Sequence, residues 1–149
     1  AGLYAQTSMR IEKGFCAMGH ELDGDTTPAE AGLDFAVRKS GGFIGAEALA
    51  QRRIEGETSK IFSVRFDDPT AVPLGNEPVR RHGEIIGLTT SAAFGYRVGR
   101  PVALARSALE VVAGERVEVD IARTRFGAET VRGALFDPNG HRMRKAGGV

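Results

Sequence analysis

Arg10 and Glu12 are the first side chains in the chain whose types could do chemistry, a guanidinium and a carboxylate two residues apart in a helical run. At about 100° per residue they point to different faces of that helix, so one can face solvent and the other a cleft. Cys16 and His20, four residues apart, have the types of a nucleophile and its base. A lone cysteine in an apolar run is more often a small core residue, and Cys16 is read as one. Thr89-Thr90-Ser91 puts three hydroxyls at a strand end, which is equally a plain polar terminus. Arg123 and Arg125 flank Thr124 beyond another strand. A guanidinium there can grip a carboxylate with two parallel hydrogen bonds, although surface exposure is the plainer reading.

Most enzyme templates are absent. The run Gly41-Gly42-Phe43-Ile44-Gly45 lacks the spacing of a dinucleotide fingerprint, and no P-loop or nucleophile elbow occurs. The single cysteine excludes an internal disulfide framework and fits a reducing compartment. His20, His82 and His141 lie far apart without ligand spacing, so no metal site is expected. The net charge is +1, and the basic clusters Arg52-Arg53, Arg80-Arg81-His82 and Arg142 to Lys145 are short and separated. That argues against nucleic-acid binding, which needs several aligned cations. No apolar run is long enough to span a membrane, and no signal peptide is visible. With 149 residues, 42% hydrophobic and 26% charged, the chain can bury a core.

The elements that must position these groups follow from periodicity. Leu3 to Lys13 reads as a helix stopped by Gly14, and Phe15 to Leu22 as a strand or extended run. After the turn Asp23-Gly24-Asp25, Thr27 caps a short helix with Pro28 at its first position and Glu30 in its first turn. Asp34 to Lys39 is expected as a strand, and Gly45 to Glu55 as a helix. From Ser59 the period changes to two. Phe62, Val64 and Phe66 alternate with polar residues, as do Val117, Val119 and Ile121, and Val102 and Leu104 alternate with small residues. Each run reads as a half-buried antiparallel strand. His82-Gly83 is placed as a two-residue hairpin turn. Asp67 to Gly75 and Ser107 to Glu115 are loops.

The fold class expected is α+β: a short α+β segment over residues 1–56, then an antiparallel, Greek-key-like β-barrel over residues 57–149. The first unit is too small to bury itself. The chain is therefore expected to be the C-terminal piece of something larger, or else to cover its apolar surface by homo-oligomerisation.

Ser8-Met9-Arg10-Ile11-Glu12-Lys13-Gly14, then Gly19, Thr26-Thr27-Pro28 and Glu30-Ala31-Gly32-Leu33, resemble the folate-binding glycine cleavage T-protein superfamily. Phe43-Ile44-Gly45 with Glu47-Ala48-Leu49, Ile86-Gly87 before Thr90-Ser91, and Pro101 to Ala105 continue the resemblance. The ending Leu135-Phe136-Asp137-Pro138-Asn139-Gly140 is most similar to the dimethylglycine and sarcosine dehydrogenase branch. Ala5-Gln6-Thr7 stands where aminomethyltransferases have Ala-Arg-Asp, which removes a folate-contacting arginine at Gln6. The branch that maintains iron–sulfur proteins carries Lys-Gly-Cys-Tyr-x-Gly-Gln-Glu. Here that run is Lys13-Gly14-Phe15-Cys16-Ala17-Met18-Gly19-His20-Glu21, with its cysteine displaced and its glutamine replaced by His20.

The resemblance implies an aminomethyltransferase-type C-terminal barrel and tetrahydrofolate as cofactor, in an enzyme that oxidatively demethylates an N-methylated glycine. The alternatives are aminomethyl transfer or a non-catalytic folate-binding module. FAD and the catalytic acid would lie in an upstream domain or partner subunit, so this piece alone is expected to be inactive and to bind tetrahydrofolate weakly. It also implies a bacterial cytoplasm or a mitochondrial matrix. Three residues suit folate. A carboxylate accepts the paired N–H donors of a pterin, which selects Glu12. Arg123 suits the carboxylates of the glutamate tail, and Tyr96 can stack or hydrogen-bond.

Overall fold

The computed structural model describes residues 2–56 and 59–145, with the side chains of Met143 and Lys145 left aside. Six antiparallel strands close into a barrel in the order β1-β4-β3-β2-β5-β6. They are β1 (Lys60–Phe66), β2 (Pro78–Arg81), β3 (Glu84–Gly95), β4 (Arg100–Ser107), β5 (Arg116–Ile121) and β6 (Thr124–Val131). Hairpins join β2, β3 and β4, and β1 pairs with β4 after a long connection, which is Greek-key order. Closure leaves no strand edge unpaired. The β2–β3 turn is His82-Gly83, with both residues at positive φ (52° and 85°), as a two-residue turn of the right twist requires.

The period-two residues fill the barrel. Phe62, Val64 and Phe66 of β1 pack with Val79, Ile86, Val117, Val119, Ile121 and Ala128. The expectation of half-buried strands fails at β4, where Pro101 to Ala105 are all buried. Ala103 and Ala105 point into the barrel, while Val102 and Leu104 form a second core with Ile11 on its outer face. The cover is α1 (Leu3–Glu12), laid across β3 and β4. Burying a side chain of the size of Ile11 or Leu104 stabilises the docked helix by about 1.5–3 kcal/mol each.

The N-terminal segment corrects three sequence-based expectations. Phe15 to Leu22 holds no strand, only one isolated bridge between Met18 and Leu22, because backbone bonds from residues 20–22 return to Ala17 O and wind the run into a turn. Asp34 to Lys39 is a single 3-10 turn, Asp34–Ala36 (η1). The capped helix expected after Thr27 is not formed: residues 28–32 are hydrogen-bonded turns, the Ala31 N–H donating to Thr27 O at 3.1 Å and the Leu33 N–H to Pro28 O at 2.7 Å. Thr27 and Glu30 bond reciprocally, Glu30 Oε2 accepting the Thr27 N–H at 2.9 Å while Thr27 Oγ1 accepts the Glu30 N–H at 3.3 Å. The helix expected over Gly45 to Glu55 is α2 (Ala46–Glu55).

Residues after β6 return to α1. The Phe136 N–H donates to Glu12 O at 2.9 Å, and Lys13 Nζ donates to Asp137 O at 2.7 Å. Gly14 ends α1 at φ 66°, and a Cβ there would press on the Gly133 backbone at 3.2 Å, so glycine alone permits this approach. Asp137 then accepts the His141 N–H at 2.9 Å and caps the short α3 (His141–Lys145).

Candidate functional site

Four side chains of α1 and the turn after it fasten the helix to β3. Ser8 Oγ donates to Phe94 O at 2.7 Å. Arg10 Nη2 donates to Ser91 Oγ at 2.8 Å, and Arg10 Nη1 donates to Glu21 Oε2 at 2.8 Å. Glu12 Oε1 accepts the N–H groups of Arg97 and Val98 at 2.6 and 2.9 Å. Arg10 and Glu12 do diverge around the helix, but neither side chain is left to solvent. They flank buried Ile11, Arg10 reaching Ser91 of β3 and Glu12 the turn between β3 and β4.

Glu21 is the centre of this attachment. Its residue surface is 0% exposed. Oε1 accepts from Thr90 Oγ1 at 2.7 Å and Ser91 Oγ at 2.5 Å, and Oε2 accepts the Ala17 N–H at 3.0 Å as well as Arg10. Consecutive strand residues normally face opposite ways. Here a bulge in β3 lies between Thr89, opposite Ala105, and Ser91, opposite Leu104. The extra residue lets both hydroxyls turn to the same carboxylate oxygen. Thr89 in turn bonds Glu77 across the loop. Burial pushes the Glu21 carboxyl up, but the bonds from Ser91, Thr90 and Ala17 and the charge of Arg10 outweigh it and hold it below its ordinary value. Arg106 Nη2 donates to Glu21 O at 2.6 Å and to Thr26 Oγ1 at 2.9 Å, adding β4 to the attachment. Burial, then the neighbouring Glu21 charge, pushes the Cys16 thiol up, away from the thiolate a nucleophile needs.

Against this floor lies a cleft of about 590 Å³. Arg10, Thr90 and Ser91 line its base, His20 stands at one side, and Tyr4, Phe94 and Tyr96 supply aromatic surface. The opposite wall is the loop between β1 and β2, with Val72 and Leu74 exposed on it. That wall is preformed. Asp68 Oδ1 accepts from Thr70 N and Oγ1, both at 2.7 Å, and Glu77 accepts the N–H groups of Leu74 and Gly75 at 2.5 and 2.9 Å.

The structure brings two of the three sequence-selected residues together. Tyr96 is 79% exposed at the cleft, edge-on to Phe94 with ring centroids 5.2 Å apart. Glu12 is 2% exposed and holds the β3–β4 hairpin that carries Tyr96. Gly95 makes this approach possible, since a Cβ there would lie 3.0 Å from Glu12 Oε1. Arg123 sits at φ 70° in the β5–β6 turn, exposed and outside the cleft lining. Sequence reasoning gave Glu21 no role, although it stands where the iron–sulfur-maintenance branch also carries a glutamate.

Among the described residues no group of three or more His, Cys, Asp or Glu is placed to hold a metal ion. None of their helices is long and apolar enough to cross a membrane.

A closed Greek-key barrel with a helix bolted across β3 and β4 defines a class of domain, and the comparisons name it. Residues 60–137 match the family model of the glycine cleavage T-protein C-terminal barrel domain, and residues 1–41 match that of the GCVT N-terminal domain. The chain belongs to the glycine cleavage T-protein family. It is 32% identical to human mitochondrial dimethylglycine dehydrogenase over a 152-residue alignment, covering 99% of this chain and 18% of the relative. It is 37% identical to an aminomethyltransferase of Rubrobacter xylanophilus over 107 residues, covering 70% of this chain and 28% of the relative. The crystal structure of the glycine cleavage system aminomethyltransferase T from Bartonella henselae superposes with a TM-score of 0.81 at 27% identity, covering 93% of this chain and 39% of that one. The chain thus spans about a fifth of the length of the dimethylglycine dehydrogenase it matches.

Proposed function

We propose that the chain is the C-terminal part of a tetrahydrofolate-dependent one-carbon enzyme, most like an oxidative demethylase of the dimethylglycine and sarcosine dehydrogenase kind. In this reading residues 1–56 belong to the folate-binding domain and residues 57–149 form the barrel, and the cleft between α1, β3 and the β1–β2 loop takes the folate. The observation that carries the reading is the make-up of that cleft: a floor of hydroxyls with the Arg10 guanidinium, and an aromatic and aliphatic rim. Such a surface suits a flat heteroaromatic ring with polar edges and an anionic tail.

Bound tetrahydrofolate would supply a nitrogen pair that captures a carbon at the oxidation level of formaldehyde. The residues of this chain position it. Tyr96 and Phe94 offer ring faces, and Thr90 and Ser91 are held in one orientation by Glu21. Glu12 acts through the hairpin it fastens, and Arg123 is a distal contact for the carboxylates of the tail. The flavin and the catalytic acid of a demethylase would come from residues outside this chain, in an upstream domain or partner subunit.

A second reading is aminomethyl transfer, favoured by the likeness to the Bartonella henselae structure. Gln6, in place of the arginine that the family resemblance leads one to expect, weighs against it.

Titration with 5-formyltetrahydrofolate, an air-stable probe, tests folate binding in the cleft. Tyr96 and Leu74 are 79% and 82% exposed, so Tyr96→Ala and Leu74→Glu leave folding intact. Each is expected to weaken binding about five- to tenfold, in line with the loss of one aromatic contact or the gain of one repelling charge. Wild-type affinity in both variants contradicts the reading.

A further inference from the structure

Three hydroxyls that line the cleft, those of Ser8, Thr90 and Ser91, spend their hydrogens inside the protein. Ser8 Oγ donates to Phe94 O at 2.7 Å. Ser91 Oγ and Thr90 Oγ1 donate to Glu21 Oε1 at 2.5 and 2.7 Å, and Leu104 O is a second acceptor for Thr90 at 3.2 Å. The two bonds to Glu21 run in one direction only. That carboxyl is held below its ordinary value, so at neutral pH it is ionised and has no proton to give.

Glu21 is itself fully used. A carboxylate has about four lone-pair sites. Oε1 takes Thr90 and Ser91, and Oε2 takes Arg10 and the Ala17 N–H. At 0% exposed it meets no ligand, and its influence on the cleft passes through the hydroxyls it orients.

A hydroxyl carries one hydrogen and two lone pairs. Ser91 Oγ gives one pair to Arg10 Nη2 at 2.8 Å, and Ser91 and Ser8 are only 2% and 3% exposed. Thr90 is half-buried, and among the described residues nothing donates to its Oγ1. It is the extra residue of the β3 bulge, set between Thr89 opposite Ala105 and Ser91 opposite Leu104. Both lone pairs of Thr90 Oγ1 are therefore left for a ligand. The Arg10 guanidinium beside it is already matched by Glu21 at 2.8 Å.

Resting on the folate reading above, we infer that Thr90 is a specificity-determining residue of this cleft: its Oγ1, with its hydrogen turned inward by Glu21, accepts an N–H of the pterin ring. A carboxylate or carbonyl brought to it would set lone pair against lone pair. An N–H group meets an acceptor that is already oriented. The pyrimidine side of a tetrahydropterin carries amino and ring N–H groups, whereas the far end of the glutamate tail carries carboxylates. The ring therefore goes to the floor and the tail to the rim.

The test joins affinity to a direct contact, both with 5-formyltetrahydrofolate. Thr90→Val removes the hydroxyl and keeps the branched shape, and is expected to weaken binding about fivefold, the loss of one neutral hydrogen bond. Thr90→Ser keeps the hydroxyl and is expected to stay within about twofold of the wild type. In the wild type, nuclear Overhauser effects from the ¹³C-labelled Thr90 methyl are expected to reach the ring protons of the tetrahydropterin, a contact that a merely structural role would not produce. Full affinity in Thr90→Val, equal losses in both variants, or Overhauser effects to the benzoyl or glutamyl protons alone or to no ligand proton, overturn the inference and leave the folate reading standing. Absence of wild-type binding overturns both.

Discussion

The guanidinium of Arg10 and the carboxylate of Glu21 meet at 2.8 Å, with side-chain exposures of 14% and 0%. This pair joins the first helix to the turn that follows it, and through Thr90 and Ser91 it joins both to the barrel. Removing one partner of a buried, hydrogen-bonded pair leaves the other charge uncompensated. Glu21→Ala is therefore expected to destabilise the fold by about 3 kcal/mol, measured by urea unfolding. A loss below about 0.5 kcal/mol would mean that this pair does not hold α1 to the barrel.

The same carboxylate predicts an acid sensitivity. The folded pKa of Glu21 lies below its unfolded value, so its contribution is fully present above the ordinary glutamate range and is lost as pH falls through the folded value. Asp67, held low by the Arg116 side chain, and Asp120, held low by Arg80, add to the acid dependence of the whole protein. The wild type minus Glu21→Gln isolates one group. That stability difference should shrink on going below about pH 4.5, and a difference constant from pH 6 to pH 3 would contradict the assignment.

Glu12 was selected from sequence as an acceptor for pterin N–H groups; in the structure its carboxylate takes the N–H groups of Arg97 and Val98. Glu12→Ala strands the N–H groups of Arg97 and Val98 and should cost about 1–3 kcal/mol. The folded variant should also bind 5-formyltetrahydrofolate more weakly, because Tyr96 loses its support. A variant with unchanged stability would show that these two bonds hold nothing.

Ile11 is 0% exposed between Val102 and Leu104. Ile11→Ala is expected to cost about 2–5 kcal/mol, and to raise amide exchange in α1 ahead of the barrel strands. Simultaneous exchange in both would show that helix and barrel unfold as one unit.

How much was legible follows from where the signals were local. Phe62, Val64 and Phe66 announce β1 because one face of it meets the barrel interior, and His82-Gly83 announces its hairpin because the turn demands positive φ. β4 read as half-buried because nothing in Pro101 to Ala105 reveals that Ile11, some ninety residues earlier, covers its outer face. Phe15 to Leu22 read as a strand or extended run because its apolar residues suggested one. The buried Glu21 at its end, whose carboxylate takes the Ala17 N–H, dictates a turn instead. The site was less legible. Thr89 to Ser91 read as a strand end, whereas β3 runs on to Gly95, and the union of Arg10, Glu21 and Ser91 depends on a bulge in β3 that no local pattern marks.

The central claim is that the cleft between α1, β3 and the β1–β2 loop takes a folate. Amide and side-chain NMR shifts of the ¹⁵N-labelled chain during titration with 5-formyltetrahydrofolate test it most directly. The account predicts weak, saturable shifts confined to Tyr4, Arg10, His20, the 71–74 loop and Thr90 to Tyr96. Shifts centred instead on the groove around Lys60, Leu109 and Arg132 at the other end of the barrel, or none at millimolar ligand, would contradict it.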